Sequence, residues 1–188
     1  MYKIKKTVSC IIFCMSVILL CSCGNKNKSD EYAAIYQTTI AGLEDNELFA
    51  VIETNASSPI LLVSSEVYDD GWGNQAAIWC DVYYPINGEV KNIGGLESFG
   101  TAYPISYDNT GIYTASGHNL QRFEIDEKNG TLRLAEGIYA EFDENGDAAY
   151  TLEKDGKTEA ITEEEYNKAF EKYGDVIVVN FSYGASGA

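Results

Sequence analysis

Ala76-Ala77-Ile78-Trp79-Cys80-Asp81-Val82-Tyr83-Tyr84 runs through Ile86-Asn87-Gly88 into Glu89-Val90-Lys91-Asn92-Ile93. The first run is rich in β-branched and aromatic side chains, which marks a strand. Asn-Gly supplies the positive backbone dihedrals that a two-residue hairpin turn requires, so the second run reads as its antiparallel partner. The same chemistry recurs along the chain. Glu127-Lys128-Asn129-Gly130 separates Leu120–Ile125 from Leu132–Phe142, Glu144-Asn145-Gly146-Asp147 precedes Ala148–Glu153, and Lys154-Asp155-Gly156-Lys157 follows it. Upstream, Leu48–Glu53 and Ile60–Val67 form a further pair, and Ala102–Tyr107 and Ile112–Ala115 lie between. The turn spacing is irregular and no signature residue returns with it, which argues against a propeller or other array and for a single irregular sheet.

Helical periodicity appears only near the two ends. Tyr32, Ile35, Tyr36, Thr39, Ile40 and Leu43 predict a helix over residues 30 to 44, with Ser29 or Asp30 as N-cap and Gly42 near its end. Thr162 with Glu165 three residues on forms a capping box. Glu163 and Glu164 suit the positive end of the helix dipole, and Tyr166, Phe170 and Tyr173 supply an apolar face that ends at Gly174. Asp175-Val176-Ile177-Val178-Val179-Asn180-Phe181 predicts a last strand, buried and central because its apolar run is continuous. The fold class that follows is α+β, a mostly antiparallel β-meander sheet with an N-terminal and a C-terminal helix packed on it.

The first 22 residues read differently. Lys3, Lys5 and Lys6 precede an uncharged apolar run from Val8 to Leu20, the order of charged and apolar regions in a secretory signal. The run is shorter than the roughly 20 residues that a spanning helix needs. Leu20-Cys21-Ser22-Cys23 resembles the bacterial lipobox, and the resemblance implies cleavage before Cys23 and a diacylglycerol on its sulfur. Residues 1–22 are therefore expected as signal peptide, Cys23 to residue 29 as lipidated cysteine and flexible tether, and 30–188 as one globular domain on the extracytoplasmic face of a cell membrane. Chain length agrees with a single domain.

The 188 residues hold 13 Lys and Arg against 29 Asp and Glu. Three of the lysines belong to the signal segment, so residues 23–188 carry ten basic and 29 acidic side chains, a net charge of −19. Nucleic-acid binding rests on clustered cations, and this balance argues against it. Of five cysteines, Cys10, Cys14 and Cys21 fall in the signal segment and Cys23 carries the lipid, which leaves Cys80 without a disulfide partner. A nucleophilic Cys80 would need a base, for which His118 is the sole histidine; a buried, inert thiol is the reading its strand favours.

Leu48-Phe-Ala-Val-Ile-Glu53-Thr-Asn55-Ala-Ser57-Ser58-Pro59-Ile-Leu-Leu-Val63 resembles, in degenerate form, a segment of uncharacterised lipoproteins of low-GC Gram-positive bacteria. There, a strand leads into Asp-x-Asp-Gly-Asp-Gly-x-Pro-Glu-Leu and then into another apolar strand. The resemblance extends loosely to a preceding helix, a following Asn-Gly hairpin and a late Glu-rich helix. The family's acidic loop implies calcium, with Glu53, Asn55 and Ser57 at the first three ligand positions. Ala56 and Ser58 replace the glycines and Ile60 replaces the acid, so a plain turn is the favoured reading and Ca2+ the alternative. The acidic turns at 68–74 and 141–147 lack the spacing of a calcium loop and read as solvated hairpin ends.

Trp72, Trp79, Tyr84 and Tyr103 are the candidate ligand-binding aromatics, because rings that share an exposed face of a sheet make a platform for glycan or peptide. Core packing is the competing explanation. No catalytic signature for a serine, zinc or phosphate-transfer enzyme occurs in the chain. The functional expectation is a membrane-anchored, non-catalytic binding domain; the alternative is a cell-envelope hydrolase that uses carboxylates or Cys80.

Overall fold

The computed structural model describes residues 28–182, with side chains from residue 34 onward. The residues expected as signal peptide, Cys23 and most of those expected as tether lie outside the described residues. The first helix, α1, spans Lys28–Ala41, so it begins two residues before the expected start and stops just ahead of Gly42.

Among the described residues the strands are all antiparallel and, with two helices, make an α+β fold, but they form three sheets rather than one. In the first, β1 (Leu48–Ile52), β2 (Ile60–Ser64), β5 (Trp79–Ile86) and β6 (Glu89–Glu97) lie in the order β1-β2-β5-β6. A two-stranded ribbon joins β3 (Val67–Asp69) to β4 (Gln75–Ala77). The seven-stranded sheet contains β7 (Ser106–Asp108), β8 (Gly111–Ala115), β9 (Asn119–Asp126), β10 (Thr131–Phe142), β11 (Ala148–Lys154), β12 (Lys157–Ile161) and, after helix α2 (Glu163–Tyr173), β13 (Ile177–Val178). Its order is β12-β11-β10-β9-β8-β7-β13.

The expected single sheet fails where one long hairpin bends. Strands predicted as Ile60–Val67 and Ala76–Tyr84 each break, at Ser65-Glu66 and at Ile78, so that their near halves join the four-stranded sheet and their far halves form the ribbon. The strand expected over Ala102–Tyr107 is confined to Ser106–Asp108.

Burial follows from the layers. In β1 alternate residues Leu48, Ala50 and Ile52 are buried against the seven-stranded sheet. Every residue of β2 is buried, because Ile60 and Leu62 face that same core while Leu61 and Val63 face Tyr36 of α1. A strand covered on both faces accounts for the continuous Ile-Leu-Leu-Val run. The Tyr36 hydroxyl donates to the Pro59 carbonyl at 2.5 Å. Across the core lie Ile112, Phe123, Ile125 and Leu132 of the seven-stranded sheet. The far side of that sheet packs Tyr113, Ala115 and Leu120 against Phe170 and Tyr173 of α2.

Local signals are realised where turn or cap chemistry is strong. Asn87 and Gly88 take φ of 53° and 83°, the pair of positive values that a tight hairpin demands. Thr162 accepts from the Glu165 N–H at 3.2 Å while the Glu165 carboxylate accepts from the Thr162 N–H at 2.8 Å, closing the capping box.

The last strand corrects the expectation of a central position. Only Ile177 and Val178 pair in a sheet, and they do so at its edge against Tyr107 and Ser106. The apolar run is instead consumed by a segment that crosses between sheets and buries Val179 and Phe181. Truncation of Phe181 to Ala is expected to cost about 3–5 kcal/mol, as for other buried aromatics. Phe142→Ala, at a ring that is 54% exposed, is expected to cost about 0.5 kcal/mol. Urea unfolding of both variants checks this, and equal losses would place Phe181 outside the core.

Candidate functional site

The edges of the two large sheets meet beside β1. They are joined at two points: Phe49 and Ser182 exchange N–H···O bonds of 2.9 Å each, and the Asn55 N–H donates to the Asn109 carbonyl at 2.7 Å. Hydrogen bonding along an edge strand alternates sides residue by residue. Val51, two residues past Phe49, therefore directs its N–H and C=O away from β2. Between the two clasps the edges part and leave a cleft of about 530 Å3, within the range of small-ligand sites of roughly 300–1,000 Å3. Ile40, Phe49, Val51, Ile177 and Val178 give it apolar walls, and Glu53, Asn74 and Asn180 add polar groups. Ile177 is 58% exposed, which is unusual for an isoleucine in a strand and consistent with a wall that faces open space.

Asn74, the last residue of the 70–74 turn, lines the cleft. The Asp70 carboxylate accepts from the Trp72 N–H at 2.8 Å, the Asn74 N–H at 3.0 Å and the Asn74 side-chain amide at 2.6 Å. The Asn74 side chain, followed by these backbone bonds, holds the carboxyl below the ordinary aspartate range. Asn180 in turn accepts the Gln75 N–H through its side-chain oxygen at 2.9 Å. The turn is thereby tied down, and it carries Trp72 at 91% exposure two residues from the cleft wall.

The four candidate aromatics do not share a face. Trp72 stands at the tip of the ribbon, whereas Trp79 begins β5 with its ring beside Gly95 of β6. Tyr103 is half-buried in the cluster under α2. Tyr84 is buried in the core, and its hydroxyl bonds to the Ser58 N–H at 3.0 Å, the Ser57 hydroxyl at 3.2 Å and the Glu127 carboxylate at 2.7 Å. None of the four lines the cleft, and Trp72 is two residues along the chain from Asn74, which does.

The loop with Glu53, Asn55 and Ser57 is fastened by protein groups. The Glu127 carboxylate accepts the Ser57 N–H at 2.7 Å as well as the Tyr84 hydroxyl. Asn55 serves in one clasp through its backbone, and Glu53 lines the cleft. Among the described residues no three His, Cys, Asp or Glu side chains gather around a common point. The Ser57 bond, with help from Tyr84, holds the Glu127 carboxyl below its ordinary value. A carboxylate whose pKa is lowered by folding stabilises the loop above its ordinary pKa and loses that contribution as pH falls through the folded value.

Cys80 and His118 do not form a dyad. Cys80 is fully buried opposite Leu96, and burial pushes its thiol well up from the ordinary cysteine value. His118 sits in the exposed β8–β9 turn with its ring 5.1 Å from that of Phe142.

The chain matches no protein-family model, and neither curated proteins nor solved structures supply a match.

Sequence reading missed the cleft walls. Phe49, Val51, Ile177 and Val178 carry no chemistry that distinguishes a lining from a core, and the one available signal is Asn180, which interrupts the apolar run of 176–181. Two outcomes are expected of the site's frame. A thiol reagent should leave Cys80 unmodified under native conditions and label it at the rate of unfolding; rapid native labelling would contradict its burial. In an acid titration followed by NMR, the Ser57 amide should move with a midpoint below the ordinary glutamate value of about 4.3, and Glu127→Gln should abolish that movement.

Proposed function

We propose that the chain is a lipid-anchored extracytoplasmic binding protein that holds a short apolar peptide segment in the cleft beside β1. The observation that carries this reading is the cleft itself, an opening between two hydrogen-bonded clasps on an otherwise joined edge. Its walls are apolar, and the outward N–H and C=O of Val51 offer the main-chain pairing that an added extended segment uses. Trp72 stands exposed on the fixed turn that leads to Asn74 of the wall. A peptide is preferred to a glycan because the outward backbone of Val51 offers main-chain pairing between mostly apolar walls, and Trp72, Trp79, Tyr84 and Tyr103 share no face.

The anchor in this reading is Cys23, on the resemblance of Leu20 to Cys23 to a lipobox and the charged and apolar regions before it. The resemblance of 48–63 to a segment of Gram-positive lipoproteins supports the same address. A single lipid chain binds a membrane only marginally, and the two chains of a diacylglycerol would hold the domain at the surface. The net charge of −19 then favours partners with basic side chains around an apolar segment.

Two measurements test the two parts. Cys23→Ala should move the protein from the membrane fraction to the aqueous one, and retention in the membrane would exclude Cys23 as the anchor. For the cleft, the mature chain is applied to an array of extended peptides alongside Ile177→Arg, a change at an exposed side chain that leaves the core intact. Binding to apolar peptides that weakens at least about tenfold in the variant supports the site. Equal binding by the variant, or no binding by either protein, would sink it.

A further inference from the structure

We propose that a second pocket, under α2 on the outer face of the seven-stranded sheet, binds a small oxyanion, the carboxylate or phosphate group of a compact ligand. Four directly opposed residues on adjacent strands form its floor: Tyr113 of β8 faces Arg122 of β9, Arg122 faces Glu136 of β10, and Glu136 faces Lys154 of β11. A bulge makes this row possible. Leu132 and Leu134 are paired with Ile125 and Phe123, of which Leu132, Ile125 and Phe123 pack on the core, and two-residue alternation would send Glu136 to the face of Leu132 and Leu134. The register shift between Leu134 and Glu136 gives Ala135 no partner, and the alternation inverts, so that Glu136 joins Arg122 on the outer face.

Above the row, Ala169, Lys172 and Tyr173 of α2 close a pocket of about 240 Å3, to which Thr110 and Leu120 also contribute. Its size suits a ligand smaller than a typical drug-sized molecule, for which pockets start at roughly 300 Å3. Three of the ten cations of residues 23–188, Arg122, Lys154 and Lys172, line it against one carboxylate, Glu136. That is a concentration of positive charge in a chain with 29 acids.

The existing bonds leave capacity for a ligand. Lys154 pairs with Glu136 at 3.0 Å. Arg122 pairs with Glu124 and donates to the Thr110 carbonyl at 3.2 Å, in both cases through Nη1. A guanidinium has five N–H donors in a fixed fork, and its remaining nitrogens have no acceptor among the described residues. Lys172 forms no ion pair among the described residues. The Arg122 side chain is only 17% exposed, so it is held in place before any ligand arrives, and charge-assisted bonds from a fixed fork are the strong kind. Two carboxylates stand just behind: Glu124, shared with Arg133 at 2.7 Å, and Asp108, which accepts the Tyr113 hydroxyl at 3.0 Å. Both are already engaged, and they fix Arg122 and Tyr113 in position.

The test is an NMR titration of the mature chain with sodium phosphate at constant ionic strength, repeated with sodium succinate. The expected result is saturable movement of the Tyr113, Leu120, Arg122 and Lys172 amides. Lys172→Gln should weaken it about tenfold, the size of one charge-assisted contact. Lys168→Gln, one turn earlier and paired with Glu164 outside the pocket, should leave it unchanged. Response to phosphate alone, to succinate alone or to both tells which oxyanion the site takes. Unsaturated movement scattered over the surface, or the same affinity in Lys172→Gln, would overturn the proposal. Ile177→Arg must not alter the titration, which separates this site from the cleft beside β1.

Discussion

The segment from Ile177 to Ser182 holds the three sheets together. Ile177 and Val178 extend the seven-stranded sheet, the Val179 N–H reaches the Ile105 carbonyl at 3.0 Å, the Phe181 N–H reaches Gln75 of the ribbon at 2.8 Å, and Ser182 bonds twice to Phe49 of the four-stranded sheet. Between those bonds Val179 and Phe181 insert into the common core. The backbone bonds are each worth about 1 kcal/mol net and each buried side chain about 1.5–3 kcal/mol, so both supply the stitch's strength while the bonds set its direction. The Phe49 to Ser182 contact spans 133 residues, and loop closure over that distance is entropically costly. Each sheet can form from hairpins before the stitch closes, whereas their relative placement, and with it the cleft beside β1, depends on the stitch.

The same segment marks where sequence reading reached its limit. Hairpins at Asn87-Gly88 and Asp155-Gly156 and the capping box at Thr162 are legible because a few adjacent residues contain the whole physical cause. Whether Val176–Phe181 is a central strand or a stitch depends on partners 70 (Tyr107) to 106 (Gln75) residues away, and its continuous apolar run is compatible with both. The bend that splits the Ile60–Ile86 hairpin into sheet and ribbon is likewise set by what each half packs against. Strand β12 went unread for the opposite reason: Lys-Thr-Glu-Ala-Ile is an exposed, charged edge with no apolar alternation, the composition that protects a sheet edge from further pairing.

Candidate sites were legible in proportion to their chemistry. Cys80 was readable as inert, since a cysteine in a β-branched and aromatic strand has no neighbour to make thiolate. The aromatics were visible as residues, but their dispersal was not. Tyr84 alternates inward on β5 and spends its hydroxyl on Ser57 and Glu127, a contact no local rule predicts. The cleft is a gap between clasps, and a gap has no residue type of its own. The Tyr113–Arg122–Glu136–Lys154 row is harder still, because it exists only once three strand registers and one bulge are known. Shifted by one residue, the same four side chains would lie on opposite faces.

A cationic pocket on so acidic a chain raises the question of which field an anion would meet. Charges in water are screened over about 8 Å at physiological salt, so carboxylates on the distant hairpin turns contribute little inside the pocket. What matters there are groups within a few ångströms: Arg122, Lys154 and Lys172 against Glu136, with Glu124 on Arg122 and Asp108 on Tyr113 just behind them. Partial burial under α2 weakens water's competition and strengthens the near charges relative to the far ones. Outside the pocket the balance reverses, and the net negative surface slows the approach of any anion while favouring cationic peptides. The two proposed sites thus make opposite electrostatic demands on their ligands, and their placement on different faces of the seven-stranded sheet and its seam lets one chain meet both.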